Sequence, residues 1–217
     1  MFFIFINKQV IGRKSNEMPE QPENFPYDYG PWKINSRSVV YKDQWLKVTR
    51  DEVTRPDGSP GTYCISHMKA GVCVLALDAD GNCHLTEEFH YAVGEVTIEC
   101  VSGGIDGNEN PLATARRELE EELGLVAGKW TDLGTVDPFT AIAFSPTRLF
   151  LAEELKETNK NPDSTEVITH VVLPFAEVLN RVNNSTITHA PSCVTIMKAW
   201  LLKMQLSNEF PKKAENT

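Results

Sequence analysis

The stretch that most constrains this chain runs from Gly103 to Leu125 and reads GGIDGNENPLATARRELEEELGL. It begins with a glycine-rich turn and holds five glutamates and two arginines. Asn110 followed by Pro111 is typical of the start of a helix, and Gly124 is typical of a C-terminal cap. We therefore predict a short, highly charged helix between these residues.

The predicted helix has one apolar face and one acidic face. Apolar residues recur at helical spacing and would pack on the core: Leu112, Ala115, Leu119 and Leu123. Glu118, Glu121 and Glu122 fall on a common face, within side-chain reach of one point. Converging carboxylates raise one another's pKa values unless a hard divalent cation, Mg²⁺ or Mn²⁺, joins them. Glu120 lies off this face and is expected to be solvated.

The spacing of the stretch extends beyond the helix. After Gly103 come five residues and Glu109, then seven residues and the run Arg117-Glu118-Leu119-x-Glu121-Glu122-x-Gly124-Leu125. These nine positions resemble the signature of the Nudix hydrolase family. The alternative is a solvated acidic face with ion pairs such as Arg117 to Glu121, which would not require Gly103 and Glu109 at these offsets.

The resemblance covers about residues 68–207, and it implies an α/β/α sandwich and hydrolysis of a diphosphate linked to another moiety. The order of strands, a central glycine turn with its helix, and closing helices also suits an α/β sandwich. The metal ligands that the resemblance implies are the carbonyl of Ser102 and the side chains of Glu118, Glu121 and Glu122. It also assigns Glu121 to catalysis, Arg117 to orienting a glutamate, and Glu109 to holding the loop.

The catalytic base is expected outside the helix, in the loop before a late strand. Glu166 is the first candidate and Asp163 the second, both by resemblance to related enzymes. The alternative for Glu166 is a charged residue at the start of a strand. His67, His84, His170 and His189 lack metal-ligand spacing and are expected to be packing or surface residues.

The segment before the glycine turn resembles the ADP-ribose pyrophosphatase branch of the family. Glu99 matches a glutamate of that branch and is expected to bind substrate. His90 and Glu88 stand where the branch usually has arginine and glutamine. Histidine cannot reproduce the bidentate phosphate contact of arginine, although His90 remains a candidate substrate contact. Arg148 could compensate, or it could form a surface ion pair.

Residues 32–67 are rich in β-branched and aromatic residues and predict a small N-terminal antiparallel β-sheet. Trp32, Trp45 and Tyr63 could stack on a nucleobase, or any of them could belong to the core. The resemblance implies that this sheet binds substrate and forms the interface of a homodimer.

Residues 1–31 are expected to be weakly structured because they hold four prolines towards their end, and residues 208–217 are expected to fray.

Composition excludes several classes of function. A net charge of -9 and a pI near 5.1 argue against a general nucleic-acid binder. The apolar start MFFIFINK is too short for a signal peptide or a membrane helix. The five cysteines form no CxxC pair, which favours free thiols in a reducing cytoplasm and excludes a four-cysteine zinc site.

The sequence therefore predicts an Mg²⁺-dependent Nudix pyrophosphatase. Its substrate would be a nucleoside diphosphate linked to a sugar, such as ADP-ribose or a related nucleotide sugar, and its products a nucleoside monophosphate and a sugar phosphate. One alternative is hydrolysis of a dinucleotide or a coenzyme. Another is a nucleotide-sensing domain without activity, which would be expected to lose the glutamates that this chain retains.

Overall fold

The computed structural model describes residues 24–158 and 167–206. Asp163, Glu166, residues 208–217 and most of the segment 1–31 lie outside the described residues. The elements are, in chain order, β1 (Tyr27–Tyr29), β2 (Trp32–Lys42), β3 (Leu46–Thr54), β4 (Pro60–Met68), β5 (Gly71–Leu77), β6 (Asn82–His90), β7 (Glu95–Glu99), β8 (Val101–Gly104), α1 (Pro111–Leu123), β9 (Leu125–Val136), β10 (Ala143–Phe144), β11 (Thr147–Glu157), β12 (Thr169–Pro174), α2 (Phe175–Asn183) and α3 (Ala190–Leu206). Within this part of the chain, no helix is both long and apolar enough to cross a membrane.

The first sheet has the strand order β1-β2-β3-β4-β10. Strands β1 to β4 pair antiparallel, as predicted for residues 32–67, and β10 adds in parallel to β4. Two features differ from the sequence-based boundaries. Strand β1 lies inside the segment 1–31 that was expected to be weakly structured, and β10 comes from the chain after α1. Long-range pairing of this kind leaves no local pattern in a two-residue strand.

The second sheet has the order β12-β6-β5-β11-β9, with β7 paired to β6 and β8 paired to β5. Its central strand β5 is buried on both faces, because successive side chains of a strand point to opposite sides. Cys73, Leu75 and Leu77 pack with residues of α2 and α3, whereas Val72, Val74 and Ala76 pack with residues of α1. The sheet is thus covered by helices on both sides, which confirms the α/β sandwich.

Helix α1 begins and ends where the sequence predicted. The side chain of Asn110 accepts a hydrogen bond from the backbone N–H of Leu112 at 2.9 Å. Gly124 adopts a left-handed conformation with φ of 65°, which ends the helix. Ala115, Leu119 and Leu123 are buried against the sheet and fix which way the helix faces. Strand β8 delivers the chain into the turn that precedes it.

Candidate active site

Gly103 lies where strand β8 passes against the side chain of Glu118 on helix α1. It pairs with Val72 of β5, so its backbone position is set by the central sheet. A Cβ atom at Gly103 would lie 2.0 Å from Oε1 of Glu118, a distance that no side chain can tolerate. Only glycine therefore allows the carboxylate of Glu118 to lie directly against the turn.

Arg117 connects the turn to the acidic face of the helix. Its Nη1 lies 2.9 Å from Oε1 of Glu118 and 2.9 Å from Oε2 of Glu121, and its Nη2 lies 3.4 Å from Oε2 of Glu109. Burial alone would lower the pKa of Arg117, but the charges of Glu118 and the other two carboxylates raise it instead. The guanidinium stays charged and holds three glutamates together.

Glu109 ties the turn to the first part of α1. Its Oε2 accepts a hydrogen bond from the hydroxyl of Thr114 at 2.8 Å, and Thr114 is fully buried. This hydrogen bond, followed by that from Arg117, lowers the pKa of Glu109. These contacts are consistent with the expectation that Glu109 holds the loop.

The oxygen-rich acidic face fits a hard divalent cation. Glu118, Glu121 and Glu122 lie along one side of α1, and Glu122 is only 7% exposed. Within residues 24–158 and 167–206, no three His, Cys, Asp or Glu side chains are already arranged around one metal-binding point. The carboxylates of Glu118 and Glu121 instead turn towards Arg117. Three carboxylates, those of Glu109, Glu118 and Glu121, lie beside the single guanidinium of Arg117, so this group carries a net negative charge that a cation would offset.

Glu99 was expected to bind substrate, but its side chain is largely buried and contacts other residues of the protein. Its residue exposure is 8%, and Oε1 accepts from the Thr97 hydroxyl at 2.7 Å and lies 3.1 Å from Nε2 of His90. Its other oxygen, Oε2, lies 2.9 Å from Nδ1 of His189. Burial would raise the pKa of Glu99, but the hydrogen bond and charge of His189, with Thr97 and His90, lower it.

His189 lies beside the glycine turn, a position that was not predicted from the sequence. It was expected to be a packing or surface residue, yet it lines a cavity of about 210 Å³ together with Lys69, Ser102, Gly103 and Thr147. Its position just before α3 is far from the glycine turn in the chain. No local spacing could have revealed this contact, because it depends on how α3 packs on the sheet.

Two of the three predicted aromatic residues lie together in the N-terminal sheet. The rings of Trp32 and Tyr63 meet edge to face with centroids 5.7 Å apart. Both line a cavity of about 390 Å³ that also includes Tyr29 and Phe144. Trp45 does not line this cavity: it is 65% exposed, and the ammonium of Lys69 lies 5.3 Å from its ring centroid.

Arg148 forms an ion pair, which was the alternative to substrate binding. Its guanidinium pairs with Asp132 and donates from Nη1 to the hydroxyl of Thr135 at 3.1 Å. It lines a cavity beside Asn110 and Trp130 that contains none of the glutamates of α1. Its charge is therefore already engaged on β9.

The other three histidines considered from the sequence contact neighbouring side chains. His84 and His170 contact each other at 2.9 Å between ring nitrogens, and His67 bonds to Thr49, so these histidines do have packing roles. Glu120 is exposed, as expected, and accepts from the Thr158 hydroxyl. The two candidate bases in the loop before β12 lie outside the described residues.

Comparisons with known proteins identify two family profiles that match this chain. A family profile described as "NUDIX domain" matches residues 67–191, and one described as "Nucleoside diphosphate sugar hydrolase N-terminal domain" matches residues 32–65. The ADP-ribose pyrophosphatase of Mycobacterium tuberculosis is 29% identical over 159 residues, covering 71% of this chain and 76% of the relative. That of Bacillus subtilis is 25% identical over 166 residues, covering 76% and 90%.

The fold has a solved counterpart as well. A crystal structure of an ADP compounds hydrolase superposes with a TM-score of 0.70 at 18% identity, covering 88% of this chain and 99% of that one. A methanol dehydrogenase activator of Bacillus methanolicus is 23% identical over 159 residues, covering 72% of this chain and 86% of the relative. Proteins similar in sequence to this chain are thus named for different functions.

Proposed function

Because this chain belongs to the Nudix hydrolase family, we propose that it hydrolyses the diphosphate bond of ADP-ribose or a related nucleotide sugar. The products would be a nucleoside monophosphate and a sugar phosphate. The observation that carries the proposal is the packing of Glu118 against Gly103 while Arg117 joins it to Glu109 and Glu121. This arrangement keeps a cluster of oxygen ligands beside a backbone turn.

The cofactor of the proposal is Mg²⁺, for which Mn²⁺ could substitute. Glu118, Glu121 and Glu122 would hold it, together with the backbone carbonyl of Ser102. When bound, a divalent cation supplies positive charge to the phosphate oxygens and favours deprotonation of water. The donor set consists of oxygen atoms alone, which suits these cations better than softer metals.

The protein's own residues would position the reacting groups. Arg117 keeps the carboxylates of Glu118 and Glu121 oriented, and its charge persists because the surrounding glutamates raise its pKa. Glu121 is assigned to catalysis as well as to metal binding. Glu166 remains our first candidate for the general base and Asp163 the second.

Recognition of the base is assigned to the aromatic cavity of the N-terminal sheet. Trp32 and Tyr63 offer flat rings on the wall of a cavity of about 390 Å³, and stacking on such rings suits adenine. The relatives named for ADP-ribose hydrolysis support this choice of nucleotide. His90 and Glu99 would act near the sugar or diphosphate, while Trp45 and Arg148 lie outside this cavity and are weaker candidates.

We further propose that two copies of the chain associate through the N-terminal sheet. Val39, Val40, Tyr41 and Trp45 are large apolar residues of this region with more than half of their surface exposed. Burial of such a patch against a second copy would remove apolar surface from water. Light scattering that finds only monomers at micromolar concentration would contradict the homodimer.

The proposed compartment is the cytoplasm, because all five cysteines are free thiols. The acidic net charge of -9 gives no support to nucleic acid as a partner. The partner we propose is a small-molecule nucleoside diphosphate derivative.

A substrate panel tests the proposal directly. Purified protein is incubated with Mg²⁺ and, separately, ADP-ribose, other nucleotide sugars, dinucleotides and coenzymes, and the products are identified by mass. We expect AMP and ribose 5-phosphate from ADP-ribose. Faster cleavage of a dinucleotide or coenzyme would replace the substrate but keep the enzyme class. Binding of ADP-ribose without any cleavage across the panel would indicate a sensor domain.

A further inference from the structure

A second group of ionisable residues, Lys69 and His189, lies beside the glycine turn. The cavity of about 210 Å³ at this point is lined by the turn residues Ser102 and Gly103 and by the imidazole of His189. Gly103 in this lining also lies against the acidic face of α1, because a Cβ atom there would lie 2.0 Å from Oε1 of Glu118. Whatever enters the cavity lies next to Ser102, whose carbonyl is the proposed metal ligand.

The hydrogen bonds of His189 determine which nitrogen carries a proton. Its Nδ1 lies 2.9 Å from Oε2 of Glu99 and 2.9 Å from the hydroxyl oxygen of Ser192. An ionised Glu99 has no proton to donate. A hydrogen bond between the two residues therefore requires the proton on Nδ1 of His189. The other ring nitrogen, Nε2, forms no hydrogen bond to any residue in the part of the chain that the structure describes.

The surroundings of His189 favour its charged form. Burial would lower the pKa of His189, but the hydrogen bond and charge of Glu99 raise it above its ordinary value. Lys69 also lines the cavity, and its own partner, Asp106, is mostly exposed. A lysine and a histidine thus line a small cavity beside the turn, and the buried carboxylate of Glu99 lies against the histidine.

We propose that His189, held in place by Glu99, binds the diphosphate of the substrate in this cavity through Nε2. The inference rests on the proposed function and adds to it a phosphate-binding group that is distinct from the glutamate cluster. A charge-assisted N–H bond to a phosphate oxygen is stronger than a neutral hydrogen bond. It also gives Glu99 an indirect role: the carboxylate orients His189 and contacts His90 rather than the substrate.

The competing explanation is that His189 merely satisfies the buried carboxylate of Glu99. The two explanations differ in what the imidazole contributes at Nε2. His189→Asn can keep an amide N–H close to Glu99, at about the position of Nδ1, but presents no donor and no charge at the position of Nε2. His189→Gln has a longer side chain and can place a neutral donor close to Nε2.

The experiment measures binding of two probes in the presence of Mg²⁺. One is the α,β-methylene analogue of ADP-ribose, which has an uncleavable diphosphate, and the other is AMP, which lacks the diphosphate. Isothermal titration calorimetry gives the dissociation constant of the analogue, and ligand-observed NMR gives that of AMP. His84→Asn serves as the matched control, because His84 contacts His170 and Asp78 and does not line the cavity.

We expect His189→Asn to weaken binding of the analogue about tenfold or more and to change AMP binding less than twofold. His189→Gln should recover part of the loss, and His84→Asn should behave as the unmodified protein. Unchanged analogue binding in His189→Asn overturns the inference. Equal losses for the analogue and AMP also overturn it, because they indicate a structural role. If the unmodified protein binds AMP but not the analogue, the proposed function itself fails.

Discussion

A Cβ atom on Gly103 would lie 2.0 Å from Oε1 of Glu118. The close approach locks the glycine turn to helix α1, since the turn is paired to β5 and the helix is packed on the same sheet. Any side chain at this position must displace Glu118 from Arg117, to which it is bound at 2.9 Å.

Gly103→Ala is therefore expected to lower kcat about a hundredfold by moving a proposed metal ligand. Gly104→Ala is the matched control in the same turn. Its Cβ would lie 3.4 Å from Cδ of Lys69, the far part of a flexible side chain that can move aside. We expect no more than a few-fold change for the control in a steady-state assay with ADP-ribose. A similar fall in kcat for both variants would contradict this explanation, because it would show that the loss does not depend on displacing Glu118.

Glu122→Gln tests whether the predicted metal-binding face of α1 matters for activity more than its other glutamates do. Glu122 is almost buried on α1, and loss of its charge is expected to reduce activity about a hundredfold and weaken Mg²⁺ binding at least tenfold. Glu120→Gln is the control, because Glu120 is exposed and lies off that face. Activity measured against Mg²⁺ concentration gives both quantities. Full activity of Glu122→Gln at low Mg²⁺ would contradict the metal assignment.

Arg117→Lys tests whether the site needs the several nitrogen donors of the guanidinium in addition to its positive charge. The guanidinium reaches Glu118 and Glu121 from one nitrogen and Glu109 from another, whereas an ammonium is a single point charge. We expect kcat to fall about tenfold or more while the melting temperature changes little, since Arg117 is a third exposed at its side chain (34%). Wild-type kcat in this variant would show that charge alone suffices.

Trp32→Ala should raise KM for ADP-ribose about tenfold with little change in kcat, since aromatic stacking on a base contributes about 1–3 kcal/mol. The ring forms part of the cavity wall and contacts Tyr63 edge to face. Trp45→Ala is the comparison, because Trp45 is exposed outside the cavity. A larger KM effect for Trp45→Ala than for Trp32→Ala would move the proposed base site to the outer face of the sheet.

The pair of Glu99 and His189 predicts how stability depends on pH. The pKa of Glu99 is lowered in the folded protein, so its contribution is present above about 4.3 and lost as pH falls. The pKa of His189 is raised, so its contribution is complete below about 6.5 and lost as pH rises through its folded value. Both contributions are present together between these limits.

We therefore expect His189→Ala to lower the free energy of unfolding most at about pH 5–6, by roughly 1–3 kcal/mol, and progressively less as the pH rises above about 6.5. Urea unfolding at several pH values measures this difference. Asn184→Ala, a change of an uncharged residue at the end of α2 whose side chain accepts hydrogen bonds from Thr186, should give a pH-independent difference. A loss of stability for His189→Ala that is constant from pH 5 to 9 would contradict the coupling.

Much of the site could be predicted from local spacing. The cap at Asn110, the left-handed Gly124 and the apolar face with Leu119 appear in the structure as predicted, because each depends on residues within a few turns of one helix. The fold class followed from the order of elements. The boundaries of the N-terminal sheet were harder to predict, because β10 joins it by pairing with β4 over a long separation.

The sequence by itself determined the family, the helix α1 and the common face of Glu118, Glu121 and Glu122, since helical geometry converts spacing into direction. Only the tertiary structure decided the partners of Glu99 and Arg148. His189 reaches Glu99, and Asp132 engages Arg148, because strands and helices distant in the chain pack side by side. Such pairing depends on the sheet order and on how α3 lies across it, and no local pattern of residues encodes either.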